Sequence, residues 1–172
     1  IFFIKSVLHL KLNETSINCM DKLFHIFKIN LQESDLIQSK PIDPHKHDFE
    51  ELLIGIKGQL EHFIDFESNS FQAPFISFVT KGKTHRVIPK SIHNECEIWG
   101  IRFKSEFIPE STFHFYTMFH NHATMTMEPG YCFDRINAIC SMMKAEYDQE
   151  FCNYAIIKQM LSLFVVFSKA SL

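Results

Sequence analysis

The segment Pro44-His45-Lys46-His47-Asp48-Phe49-Glu50-Glu51 places two imidazoles and a carboxylate in the spacing H-x-H-x3-E. On an extended strand side chains alternate between faces, so His45, His47, Phe49, Glu51 and Leu53 share one side. A third imidazole, His85, follows Gly82, whose backbone freedom permits the turn that brings a neighbouring strand back toward the first. Imidazole nitrogens and a carboxylate oxygen are donors that Zn, Fe, Mn or Ni accept. His45, His47, Glu51 and His85 therefore form a candidate ligand set with positions left for water or substrate. Without a metal, the same groups would hydrogen-bond a polyhydroxylated or acidic ligand, because burying them unpaired is unfavourable. Glu50 and Glu51 are adjacent and face opposite sides of a strand, which excludes a paired acid and base. None of the motifs G-x-S-x-G, H-E-x-x-H or G-x-x-x-x-G-K-S/T occurs. His120-Asn121-His122 repeats the H-x-H spacing without a carboxylate at the same offset and reads as a strand-edge or surface pair. His9, His25, His62, His93 and His114 stand singly.

Positioning these residues falls to a run of short apolar stretches: 24–31, 49–56, 60–66, 75–80, 86–88 and 97–103. Turn residues separate them at Lys57-Gly58, Ser68-Asn69-Ser70, Lys81-Gly82-Lys83 and His93-Asn94, the pattern of an antiparallel sandwich or barrel. Trp99 and Arg102 belong to the last stretch, Trp99 as core or pocket wall and Arg102 as a cation for an anionic effector. After Pro129-Gly130 the period changes. Phe133, Ile136, Cys140, Met143 and Tyr147 step by three or four, as do Ile156, Met160, Leu163 and Phe167, which predicts two amphipathic helices joined near 148–153. The second helix is apolar on more than one side, since Ile157, Leu161, Phe164 and Val165 extend the stripe. Ile156, Met160, Leu163, Phe164 and Phe167 are therefore candidate dimerisation residues.

Composition narrows the class. The 172 residues are 46% hydrophobic and 22% charged, which fits a globular chain and excludes a disordered one. Nineteen Phe against 4 Tyr and 1 Trp assign the aromatics to packing. With 17 Lys and Arg against 20 Asp and Glu, a net charge of -3, this polypeptide has no basic excess for gripping a phosphate backbone. The longest apolar run, 160–167, is too short to span a bilayer, and the N-terminal residues lack a basic region and a cleavage site, so the expectation is a cytoplasmic protein without membrane contact. The scattered Cys19, Cys96, Cys132, Cys140 and Cys152, with no C-x-x-C pair, suit reduced structural thiols.

The pattern H-x-H-x3-E-x6-G at His45, His47, Glu51 and Gly58 resembles the first cupin motif, and Gly82-x-x-His85 resembles the core of the second. Ser39 stands where a glycine usually opens the first motif. In the second, Pro74 replaces the opening glycine, Thr80 the proline and Pro89 the asparagine. The succession of His45 to Leu53, Gly58, His62 to Phe66, Gly82 to His85, and Gly100 to Phe107 is similar to the N-terminal sensor domain of AraC-type transcriptional regulators. The resemblance implies a mainly β fold, a cupin-like double-stranded β-helix followed by a two-helix hairpin. It divides the chain into an N-terminal extension at 1–22, an effector-binding barrel at 23–128 and a dimerisation hairpin at 129–172. A helix-turn-helix domain would lie outside these 172 residues and supply any DNA contact. The implied function is ligand sensing and dimerisation by a non-enzyme: a small effector such as a sugar, held by His45, His47, Phe49, Glu51, His85, Trp99 and Arg102, alters the arm at 23–40 or the hairpin. No cofactor is required by this resemblance; Zn, Fe, Mn or Ni at the four cupin-like positions is the second expectation. The rival is a small metal-dependent cupin enzyme, a dioxygenase or isomerase, using the same four residues.

Overall fold

The computed structural model describes residues 23–40 and 42–170, so the expected extension at 1–22 lies outside the described residues. Strand β1 (Phe24–Ile29) leads through helix α1 (Leu31–Ser39) to β2 (Glu50–Lys57), β3 (Gln59–Ile64), β4 (Glu67–Gln72), β5 (Phe75–Val79), β6 (His85–Lys90) and β7 (Glu97–Phe103). A 3-10 turn (Ser105–Phe107), α2 (Pro109–Met118), β8 (Thr124–Thr126), α3 (Tyr131–Tyr147) and α4 (Tyr154–Ala170) follow. Two antiparallel sheets result, ordered β1-β7-β2-β5-β8 and β4-β3-β6.

The larger sheet is buried on both faces. Its inner face packs Phe27, Ile29, Leu53, Phe75 and Ile98 against Leu60 and Val87 of the smaller sheet. Its outer face packs Phe24, Leu52, Ile54, Phe78 and Ile101 against Phe115, Phe133, Ile136, Ile157, Leu161 and Phe164 of the helices. This double coverage explains why Glu50 to Gly55 is buried without alternation, the behaviour of a central strand between two layers. The Phe excess fills the helix–sheet seam, where Phe115 meets Phe78, Phe103 and Phe164 with ring centroids 5.4, 6.2 and 5.9 Å apart.

Helix and strand make up 38% and 34% of the described residues, so the fold is mixed rather than mainly β. Two of the four helices were not expected. Asn30 caps α1: its Oδ1 accepts from the Glu33 backbone N–H at 3.1 Å, while Glu33 Oε2 accepts from that of Asn30 at 2.9 Å. Strand β1 pairs with β7 along its whole length, which builds the arm at 23–40 into the fold. Helix α2 opens with Pro109 in its first turn, where the missing N–H costs nothing. Strand β4, expected as turn residues, is an edge strand exposed along nearly its whole length, which frees it to be polar.

The hairpin loop falls at 148–153 as expected, and Phe133, Ile136, Cys140 and Met143 of α3 are buried. In α4 the buried stripe is Ile157, Leu161, Phe164 and Val165, while Ile156 and Leu163 stay 42% and 44% exposed. Phe164 is thus a core residue and not part of an outward dimer face, and Phe167 lies partly buried near Tyr131. Packing is tight between the sheets: a Cβ added at Gly55 would sit 2.1 Å from the buried Phe75 ring. Gly55→Ala should therefore destabilise the chain by about 1–3 kcal/mol, the usual penalty for overpacking. Urea denaturation measures it, and an unchanged midpoint would show that Phe75 has room to move.

Candidate functional site

Strand β2 begins only at Glu50, so His45, His47 and Phe49 reach the site from the irregular segment before it, not as one face of a regular strand. Backbone contacts hold that segment. His45 and His85 exchange N–H to O=C bonds of 2.9 and 3.0 Å, and the Gly82 N–H donates to the His47 carbonyl at 2.8 Å from a left-handed conformation with φ +80°. Glu50, turned to the opposite face, accepts from the Lys81 N–H at 2.9 Å, Ser105 Oγ at 2.6 Å and Tyr116 Oη at 2.9 Å. It pins the β5–β6 turn and α2 to the start of β2.

On the inner face, Glu51 Oε2 lies 3.8 Å from both His47 Nε2 and His85 Nε2, and all three donor atoms lie within 4.8 Å of one another. Those separations are too long for hydrogen bonds. Zinc bonds of about 2.0–2.2 Å hold donors at most about 4.4 Å apart, so the three atoms would draw in slightly around one ion. His47 Nε2 and both ring nitrogens of His85 are buried without a hydrogen-bond partner, a costly arrangement unless something binds there. His45 is not in the tight group: its ring is partly exposed, with Nδ1 3.2 Å from the Asp43 carbonyl oxygen and its centroid 4.9 Å from that of His85, and its backbone pairs with that of His85. Of the four expected donors, His47, Glu51 and His85 are the three whose donor atoms lie together.

Glu51 Oε1 accepts from Arg102 Nε at 2.7 Å across the β2–β7 register. Burial works against the ionised carboxyl, but the Arg102 guanidinium and the two imidazoles hold it well below the usual carboxylate range. Arg102 is itself set between aromatic rings, 4.8 Å from the centroid of Phe27 and 5.2 Å from that of Phe49. Phe49 stacks on His47 at 3.9 Å, Phe27 on His25 at 5.6 Å, and His25 Nδ1 is 3.0 Å from Tyr147 Oη at the end of α3. Arg102 and Phe49 are therefore at the site, although Arg102 is engaged with Glu51. Trp99 is not a wall of this interior. It points to the helix layer, where its Nε1–H donates to Asn137 Oδ1 at 2.9 Å. His120 and His122 are exposed in the loop before β8, a surface pair but not a strand one.

No protein-family model matches the chain, and no curated protein matches it. Among solved structures, apo ToxT K231A from Vibrio cholerae is similar over 86% of this chain and 55% of that one, at 14% identity and a TM-score of 0.55. The chain shares the fold of the part of ToxT that it matches. The AraC-like transcriptional activator CuxR matches over 87% of this chain and 48% of its own, at 11% identity and a TM-score of 0.47. A cupin 2 conserved barrel domain protein from Salinispora arenicola matches over 37% and 52%, at 19% identity and a TM-score of 0.32. The chain thus spans about half the length of the two regulators. No helix of the described residues is long and apolar enough to cross a membrane.

Burial lowers His62 to about 4 and His85 to about 3, so both are neutral in the folded chain. Unfolded imidazoles, near 6.5, take up protons that these two refuse, so stability is full above about pH 6.5 and falls as pH drops toward 4. In the presence of a chelator, urea unfolding should show a loss of roughly 1–3 kcal/mol between pH 6.5 and about pH 5. That window lies above the ordinary carboxylate range. A flat profile across it would contradict the neutral imidazoles.

Proposed function

We propose that this chain is the ligand-sensing domain of an AraC-type transcriptional regulator, and that its effector binds at His47, Glu51 and His85. The observation that carries the reading is the set of buried, unpartnered imidazole nitrogens around a buried carboxylate. Four nitrogens shut from solvent favour a small effector over one that needs an open cavity. A divalent cation suits two imidazoles and a carboxylate better than the sugar first expected. Zn, Fe, Mn and Ni share these preferences, and the bound ion would supply two positive charges beside Glu51, drawing the β5–β6 turn and the segment before β2 together. A metal-dependent dioxygenase or isomerase would use the same donors but needs a path for substrate to atoms that are closed here.

The stacked series from His47 through Phe49, Arg102 and Phe27 to His25 and Tyr147 offers a physical route from the site to the hairpin. For an effector to act along it, the ion must bind one arrangement of the series more tightly than another. The stripe of exposed Ile156 and Leu163 with half-buried Met160 on α4 is the dimer surface in this reading, and DNA contact belongs to a further domain of the regulator.

Two measurements test this. A thermal-shift panel of divalent metals and sugars should raise the melting temperature by about 5–10 °C at 100 times Kd for a metal and leave it unchanged for sugars, with Glu51→Gln abolishing the response. A response to a sugar alone would replace the ion as effector. Sedimentation should give a dimer that Leu163→Glu converts to a monomer, and a monomeric parent chain would remove the hairpin's proposed role.

A further inference from the structure

His62 belongs to none of the motifs, yet the fold carries it on β3 into the interior, 1% exposed, with its ring centroid 5.8 Å from that of His85. Its Nδ1 lies 3.1 Å from Thr124 Oγ1 and 3.2 Å from Ser77 Oγ. Thr124 Oγ1 donates to Ser77 Oγ at 2.8 Å, and Ser77 Oγ donates to the Ala123 carbonyl at 3.2 Å. Both hydroxyl protons are thereby committed along the chain to a backbone acceptor. The arrangement that keeps all of these contacts makes His62 Nδ1 the N–H donor and leaves the lone pair on Nε2. That Nε2 is buried and has no partner. His47 is prepared in the same way: its Nδ1 lies 2.8 Å from the Phe49 carbonyl oxygen, which can only accept, so its free Nε2 also carries a lone pair. An imidazole whose far N–H is fixed by a protein oxygen is the arrangement found in metal-ligating histidines.

We propose that His62 is the third imidazole donor of the ion site, in the role the sequence gives to His45, with Thr124 and Ser77 as the residues that position it. The inference rests on the ion reading above. Two imidazoles on one ion have ring centroids about 4.5–6.5 Å apart, given bonds of about 2.0–2.1 Å, and the 4.9 Å between His47 and His85 and the 5.8 Å between His62 and His85 both fall in that range. The 4.9 Å between His45 and His85 does too, so what singles out His62 is its buried, partnerless Nε2 against the partly exposed ring of His45. Ser77 and Thr124 pair across β5 and β8, so the short β8 strand acquires a purpose: it brings the hydroxyl that orients His62.

The test is a titration of the untagged 172-residue chain with Co2+, followed by visible absorption and calorimetry. His62→Gln should weaken Co2+ binding by more than about tenfold and change the absorption band. Thr124→Val, which leaves the ring in place, should weaken it by about 10–100-fold. His45→Gln should bind as the parent does. Parent-like binding and spectrum in His62→Gln, with loss in His45→Gln, would overturn the role of His62 while leaving the ion site intact. If His62→Gln fails to fold by circular dichroism, Thr124→Val decides alone, and unchanged affinity there overturns the proposal. Absence of Co2+ binding by the parent chain overturns it together with the ion reading.

Discussion

A carboxylate in the middle of a five-stranded sheet, 2% exposed, sets the terms for everything around it. Glu51 sits on β2 between β7 and β5, opposite Arg102 on one side and Val79 on the other. A buried charge left without its partner destabilises a protein by about 3–5 kcal/mol, so Arg102 has little freedom to be anything else. Arg102 in turn needs rings to cover its faces, which Phe27 and Phe49 provide, and Phe49 needs His47 to stack upon. The same carboxylate draws the Nε2 atoms of His47 and His85 to within 3.8 Å while giving neither a hydrogen bond. The fold thus satisfies Glu51 Oε1 and leaves Oε2 facing imidazoles, the arrangement on which the proposed cation site rests.

Layering adds a second constraint. Because helices cover the outer face of the larger sheet, Glu50 is as buried as Glu51 and must be satisfied by different groups. Three neutral donors, from the β5–β6 turn, the 3-10 turn and α2, converge on it. Two adjacent carboxylates therefore divide the work. One ties the helix layer and the turn to β2, and the other organises the interior. The turn held by Glu50 also holds His47 through the Gly82 N–H, so contacts join the interior to α2 as well as, through the stacked series, to Tyr147.

Much of this was legible in the residues. The stretch 97–103 was expected as a strand and is β7, the hairpin loop lies where the helical period broke, and His47, Glu51 and His85 come together as the H-x-H-x3-E and Gly-x-x-His spacings imply. Other features depended on partners distant in sequence. Period two cannot show that β2 starts at Glu50, because the preceding residues are held by cross-chain contacts to His85 and Gly82. Which stripe of α4 turns inward is decided by α3 and α2, against which it packs, not by its own doubly apolar sequence. His62 looked solitary because Ser77 and Thr124, which give it meaning, lie 15 and 62 residues away. Two signals were nevertheless available locally: the Asn30-x-x-Glu33 capping box for α1, and Pro109 at the opening of α2.

The central claim is that a cation occupies the interior beside Glu51. Anomalous diffraction from crystals grown with Co2+ tests it most directly. The account predicts one strong peak between Glu51 Oε2 and the Nε2 atoms of His47 and His85. A peak confined to exposed histidines such as His120 and His122, or no peak at all, would contradict it.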